Sequence, residues 1–280
     1  FLPLNLNKFY FRFRQNKHFL YVGCPKSKET FIEEVRDKNL FGIDTEFDWR
    51  QTYLPILSTV QISSNKKVFI IDILKMDNLN FLKNFFQNEN HFFVFHSLRS
   101  DSTVLSKCLG IKVKNCFDIQ IAEKCLSNNE IKSYARIVKE HTSVNLKKSE
   151  TRSDWLKRPL TSEQLKYARE DVDFLLDIYK IQKKKLKKRN LLETALRLSN
   201  NESLLGQEPF KESRLNKIKN KLNMRERDIF LWREELAELE NVPPSYIFKD
   251  KDLKKICRIN SKDKKFKGKI MKIIGDSGLV

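Results

Sequence analysis

Short apolar runs rich in β-branched and aromatic residues open the chain, at His18–Val22, Phe41–Phe47, Leu57–Ser63, Val68–Ile73 and Phe92–Phe95. Runs of this kind and length read as strands. Between the first two, Ser27–Lys38 sets Phe31, Ile32 and Val35 at helical spacing. Beyond Phe95 the pattern becomes that of helices, over Ser102–Leu109, Ile119–Leu126 and Ile131–Glu140. Strands followed by helices predict an α/β domain on a mixed sheet. Residues Asn145–Pro159 have loop chemistry. Thr161-Ser-Glu-Gln164 then has the form of a capping box, so a helix is expected to start there. It runs through Tyr167, Asp171, Phe174, Leu175 and Ile178 into the basic stretch Lys183–Arg189. The polar stretch Asn200–Ser213, with Gly206 and Pro209, predicts a linker. A second helical set follows at Arg214–Asn220, Arg225–Leu239 and Lys251–Arg258, broken by Pro243-Pro244. The expected division is residues 18–195 and a small all-helical domain over 210–280.

Composition narrows the class. Of 280 residues, 40% are hydrophobic, which is too many for a disordered chain. No run approaches the roughly 18–20 apolar residues of a membrane helix. The net charge is +19, and residues 181–280 hold 26 Lys and Arg against 14 Asp and Glu. Excess charge concentrated in one part of the chain points to a polyanion partner, of which nucleic acid is the usual one, against generic solubility as the alternative. The five cysteines are odd in number and include no C-x-x-C pair, which excludes a disulfide framework or zinc knuckle and predicts a cytoplasmic location. The start, FLPLNLNKFYFRFRQNKHFLYV, carries no acid before Glu29, as a transit peptide would; its sparse Arg, and the absence of Ser before Ser27, argue the other way.

The candidate chemistry lies in acids. Asp44-Thr45-Glu46 follows the apolar Phe41-Gly42-Ile43, and residues two apart on a strand share a face. Two carboxylates beside an apolar strand repel each other unless a cation neutralises them, and oxygen ligands suit Mg²⁺ or Mn²⁺. The plain alternative is a strand end reaching solvent. Asp101 stands where a strand passes into a helix, either as a further acid of the cluster or as an N-cap. Tyr167 and Asp171 are four apart on the capped helix and so share a face. Asp173 and Asp177 fall off that face and are expected in solvent.

This order of motifs resembles the DEDDy 3′–5′ exonucleases, and the surrounding words resemble ribonuclease D. They are DTEF with TYLP and Gln61 following, FHSLRSD (Phe95–Asp101), FDIQIA (Phe117–Ala122) and KSETRSDWLKRPLTSEQLKYAREDVDFL (Lys148–Leu175). The match runs over about residues 18–185. FLWREELAELENVPPSYIFKDKDLKKI, from Phe230 to Ile256, resembles an HRDC domain. Ser-Asp-Ser-Thr at the third motif and Asp48-Trp49 depart from the usual pattern without altering a ligand position.

The resemblance implies a ribonuclease H-like nuclease domain followed by a helical HRDC-like domain. It implies two divalent ions, Mg²⁺ or Mn²⁺, held by Asp44, Glu46, Asp101 and Asp171, with Tyr167 orienting the attacking water. Nucleoside 5′-monophosphates would leave one by one from the 3′ end of RNA, and tRNA precursors are the implied substrates. A DNA exonuclease would carry the same acids, and a non-catalytic RNA-binding scaffold is the remaining alternative. Arg152, Trp155 and Arg158, in the loop before the capped helix, are candidates for gripping phosphate or stacking on a base; Trp155 is equally readable as a hydrophobic anchor. His96 and Asp118 read as structural hydrogen-bonding groups, and Asp72 as a turn residue. Lys183–Arg189 and the cluster Lys262–Lys269 are expected to bind phosphates without reading bases.

Overall fold

The computed structural model describes residues 18–65, 67–146 and 153–258. Two compact units form. Among the described residues, one holds those up to Asp48 with those of 57–207, and the other joins Trp49–Ile56 to those of 208–258.

The first unit is built on a six-stranded mixed sheet. Its strands are β1 (His18–Val22), β2 (Leu40–Asp48), β3 (Ile56–Ser63), β4 (Lys67–Asp72), β5 (Phe92–Phe95) and β6 (Cys116–Asp118), in the order β1-β4-β3-β2-β5-β6. β2, β5 and β6 run parallel, with Gly42 beside Val94 and Phe95 beside Asp118; β3 runs antiparallel to β4. Eight helices accompany the strands among the described residues of this unit: α1 (Pro25–Val35), α2 (Asn80–Gln87), α3 (Arg99–Leu109), α4 (Ile119–Leu126), α5 (Tyr134–Thr142), α6 (Ser162–Asp173), α7 (Leu175–Lys188) and α8 (Leu192–Gln207). Apolar side chains gather into two clusters. One is rich in phenylalanine around Phe31, Phe41, Phe85 and Phe93. The other joins Val68 and Ile70 of β4 to Ala168, Val172 and Leu176 of α6 and α7.

Two glycines let helices approach closely. A Cβ on Gly42 would meet the Ser63 hydroxyl at 2.5 Å and Leu175 at 3.0 Å, so the α6–α7 junction rests directly on β2. A Cβ on Gly206 would stand 2.6 Å from the Arg99 carbonyl, where α8 crosses α3.

The expected linker at Asn200–Ser213 is a correction. Helix α8 continues to Gln207, and α9 (Phe210–Ile218) begins three residues later. The reason is a small polar face that is buried: Ser199 and Ser203 are covered, and Ser203 reaches across to Ser102 and to the Val113 carbonyl. Both β6 and α2 lie outside the sequence expectations.

The second unit contains α9, α10 (Met224–Leu239), α11 (Pro244–Ile247) and α12 (Leu253–Arg258). Phe210, Phe230, Ile247, Phe248, Leu253 and Ile256 form its core together with Tyr53, which is fully buried. The Tyr53 and Phe210 rings meet edge to face at 5.7 Å, and the Trp49 and Phe210 rings at 4.8 Å. The Trp49 indole N–H donates to the Tyr53 carbonyl at 2.8 Å, and the Leu54 N–H donates to Asn241 at 3.1 Å. Buried Glu234 receives Arg214 at 2.7 Å, and the Arg214 guanidinium lies over the Tyr53 ring. No described helix is long and apolar enough to cross a membrane.

Candidate active site

The site forms at the carboxyl ends of the parallel strands β2 and β5, the usual place for ligand chemistry on an α/β sheet. β2 carries Asp44 and Glu46 out on one face. α6 brings Tyr167 and Asp171 to them, and its start is fixed as the sequence predicts: Thr161 accepts from the Gln164 N–H at 3.1 Å and Gln164 returns the bond to the Thr161 N–H at 2.9 Å. At its far end the Ser63 hydroxyl donates to the Val172 carbonyl at 2.8 Å. One carboxylate oxygen from each of Asp44, Glu46 and Asp171 lies within 4.8 Å of the others.

Asp101 is not the N-cap of α3. It sits inside the first turn and is buried. The Thr45 hydroxyl, between the two β2 acids in sequence, donates to Asp101 at 2.7 Å. The turn that aims Asp101 is held by Asp118, which accepts from the N–H groups of Ser97 at 3.1 Å, Leu98 at 2.9 Å and Gln120 at 2.8 Å. The structural reading of Asp118 therefore agrees with its contacts.

Asp44, Glu46 and Asp171 lie in a cavity of about 320 Å³ lined also by Thr45, Tyr167, His96, Ser133, Tyr134, Ala135 and Leu146, whereas Asp101 belongs neither to this lining nor to the three-carboxylate cluster and sits behind Thr45. Among the described residues, no lysine or arginine is in that lining. The electrostatics follow directly. Burial pushes Asp44 up to about 7. Burial and then the Asp44 charge push Asp171 up to about 8, against a hydrogen bond from Tyr167. Burial, with Asp44, Asp171 and Asp101 adding, drives Glu46 well above the usual carboxylate range, and burial with Asp44 does the same to Asp101. Clustered acids whose described lining offers no lysine or arginine fit a cation as partner, and an all-oxygen donor set suits a hard divalent ion.

Two of the proposed RNA contacts have other work. Trp155 is only 3% exposed, packed in the core with its ring 6.1 Å from that of Tyr167, so its face is closed to a base. Arg158 grips fully buried Asp72 with two bonds, Nε to Oδ2 at 2.6 Å and Nη2 to Oδ1 at 2.9 Å. It also donates to the Trp155 carbonyl at 2.6 Å and to the Ser58 hydroxyl at 2.9 Å. The Tyr21 hydroxyl donates to the same Asp72 carboxylate. Asp72 is thus an internal anchor as well as a turn residue, and the loop ahead of α6 is lashed to β4. Trp155 is covered by the apolar cluster of Leu160, Ala168 and Val172, and Arg158 is held by a partner 86 residues away in sequence. Arg152 lies outside the described residues, as does the cluster Lys262–Lys269. Asp173 is also corrected, being mostly covered and ion-paired to Arg169 at 2.9 Å, and Asp177 is half-buried. His96 lies against the Lys132 carbonyl at 3.4 Å while lining the cavity.

Comparison with known proteins identifies the family and the fold. The family described as 3′–5′ exonuclease matches residues 20–187, and the HRDC domain matches residues 224–265. Ribonuclease D of Desulfotalea psychrophila is 34% identical over 248 residues, covering 85% of this chain and 66% of its own length. Ribonuclease D of Pseudomonas paraeruginosa is 30% identical, covering 82% of this chain and 63% of its own. The chain thus spans under two thirds of the length of these curated relatives. The crystal structure of Escherichia coli RNase D, an exoribonuclease involved in structured RNA processing, superposes with a TM-score of 0.79 at 23% identity, covering 94% of this chain and 76% of that one. Brucella melitensis NrnC with bound Mg²⁺ shares the fold with a TM-score of 0.57 at 22% identity, covering 67% of this chain and 92% of that one.

Proposed function

The chain belongs to the 3′–5′ exonuclease family, and from that premise we propose that it is a divalent-metal-dependent exoribonuclease that trims RNA from its 3′ end, with tRNA precursors as its substrate class. The observation that carries the reading is the convergence of Asp44, Glu46 and Asp171 with Tyr167 in one cavity. Its volume of about 320 Å³ is at the small end for ligand pockets, suited to a single terminal nucleotide.

Asp44, Glu46, Asp101 and Asp171 would hold two ions, Mg²⁺ or Mn²⁺. When bound, such ions supply positive charge at the scissile phosphate and lower the pKa of the attacking water. The chain's own residues do the rest. Asp101 is kept in line by Thr45 and by the Asp118-braced turn. Tyr167 donates to Asp171, and a phenol with a pKa near 10 serves better to orient a water than to deprotonate it. Tyr134, whose hydroxyl donates to the Glu170 carbonyl at 3.1 Å, offers its ring as cavity wall. Exposed Lys184, Lys185, Lys187 and Lys188 at the end of α7 would attract the phosphate backbone in a salt-dependent manner.

The test uses 5′-labelled single-stranded RNA and its DNA twin, with Mg²⁺ or EDTA, beside an Asp44→Asn, Glu46→Gln double variant. A metal-dependent one-nucleotide ladder on RNA, absent in the variant, is expected. A ladder on DNA alone would move the activity to DNA, and RNA retention with no ladder on either would mark a binding scaffold; either result overturns the proposal.

A further inference from the structure

The cavity has a second wall that carries no acid, made by His96, Ser133, Tyr134 and Ala135. Tyr134 and Ala135 open α5, Ser133 closes the irregular stretch that joins it to α4, and His96 follows β5; in that stretch Asn128 and Asn129 take left-handed conformations and Ile131 is largely exposed. The first half of the stretch is held by backbone bonds, from the Asn129 N–H to the Lys124 carbonyl at 3.0 Å and from the Glu130 N–H to the Ser127 carbonyl at 3.2 Å. Amid it, Lys132 is turned inward and only 7% exposed.

Lys132 ties the wall down from both ends of the residue. Its ammonium donates to Glu123 at 3.0 Å and to Glu140 at 2.6 Å. Glu123 is itself fixed by the Gln182 amide at 2.9 Å and lies 2.9 Å from His141. The Lys132 carbonyl accepts the Gln120 amide at 3.0 Å and lies 3.4 Å from His96 Nε2. The next residue, Ser133, is the N-cap of α5, whose first two residues are Tyr134 and Ala135. The His96 ring in turn packs 5.5 Å from that of Tyr134. A buried lysine is costly unless paired, so an ammonium held by Glu123 and Glu140, with Glu130 also at 3.9 Å, here defines one backbone position.

We propose that Lys132 is a positioning residue that sets the His96–Ser133–Tyr134–Ala135 wall against the 3′-terminal nucleoside, and so governs substrate binding without touching the reacting phosphate. The inference rests on the nuclease reading of the cavity. No contact of Lys132 with the metal-site acids is involved, so its loss acts on KM and on product affinity and leaves kcat largely intact.

The experiment compares the 280-residue wild-type chain with Lys132→Met, Lys132→Arg and Glu140→Gln. For each, kcat and KM are measured on single-stranded RNA with Mg²⁺, AMP binding by equilibrium dialysis, and Tm. Lys132→Met is expected to raise KM and the AMP Kd about tenfold, equivalent to about 1.4 kcal/mol of binding, with kcat within about threefold of wild type. Lys132→Arg should recover part of the loss. Glu140→Gln, which removes the outer carboxylate and leaves Glu123 in place, should show a smaller rise in the same direction and keeps the test decisive if Lys132→Met does not fold. Folded Lys132→Met or Glu140→Gln with unchanged KM and AMP affinity, beside an active wild type, would overturn the inference alone. A wild type that neither cleaves RNA nor binds AMP would overturn the nuclease reading along with it.

Discussion

Replacing Arg158 with methionine removes the partner of a carboxylate that has no access to water. Asp72 would keep the Tyr21 hydroxyl and the Leu74 N–H at 3.1 Å, but would lose the guanidinium charge. Breaking one side of a buried pair in this way costs about 3–5 kcal/mol, because an unpaired charge stays behind. Total stabilities of about 5–15 kcal/mol leave the variant folded but much weakened. Adding Asp72→Asn should return at least about 1 kcal/mol, since the stranded charge is gone. pH supplies a second signature. In the wild type, burial alone would raise the Asp72 pKa, but hydrogen bonds from Arg158 and Tyr21 outweigh it and hold it below 3.8. Its stabilising contribution is therefore present above 3.8 and lost as pH falls further. In Arg158→Met burial wins and the pKa rises above 3.8, so the deficit relative to wild type should narrow as pH falls toward 4. Urea unfolding followed by circular dichroism at pH 7 and pH 4.5 measures both effects. A loss below about 1 kcal/mol at pH 7, or a double variant less stable than Arg158→Met, would refute the assignment of Arg158 to Asp72.

Three further outcomes are expected. Asp171→Asn should raise Tm in EDTA by about 2–4 °C by relieving repulsion with Asp44, and should diminish the rise in Tm that Mg²⁺ gives the wild type, as read by differential scanning fluorimetry. Gly206→Ala should cost about 1–3 kcal/mol in urea unfolding, because its Cβ would meet the Arg99 backbone carbonyl, which cannot swing aside as a side chain can. Glu123 is held at about 2, chiefly by His141 and against burial, with Gln182 and Lys132 adding. Its stabilising effect is full above 4.5 and fades as pH falls from 4.5 to about 2, by on the order of 2–3 kcal/mol after allowance for solvent screening; a Glu123→Gln chain should show a flatter acid-unfolding profile over that interval.

Much of this arrangement was legible from local pattern. Period-two alternation sets Asp44 and Glu46 on one face, helical spacing pairs Tyr167 with Asp171, and the Thr161–Gln164 box marks where their helix begins. Strands β1 to β5 announce themselves as apolar runs. What escaped depends on distant partners. β6 is three residues long and is defined by lying beside β5. α2, NFLKNFFQ, did carry a helical signal in Phe81, Leu82, Phe85 and Phe86. The Asn- and Ser-rich end of α8 reads as linker because small polar side chains favour loops, yet here they allow close crossing of α3. Trp155 and Arg158 look like nucleic-acid contacts in any basic loop; the apolar cluster around Trp155 and the distant Asp72 that holds Arg158 show why they are internal. Lys132 is likewise inconspicuous until Glu123 and Glu140 are seen around it.

The excursion Trp49–Ile56 has a practical consequence for anyone dissecting the protein. Written along the chain, a cut after Gln207 looks like a clean excision of the nuclease. In space it would strand Trp49, Tyr53 and Leu54 without Phe210, Arg214 and Asn241, baring aromatic surface on a short loop that begins three residues after Glu46. Such a fragment would be prone to self-association, and its mirror-image partner, starting at Glu208, would lack the buried tyrosine at its centre. Inactivity of either piece would then report damage to the cut edges rather than a division of labour between the halves.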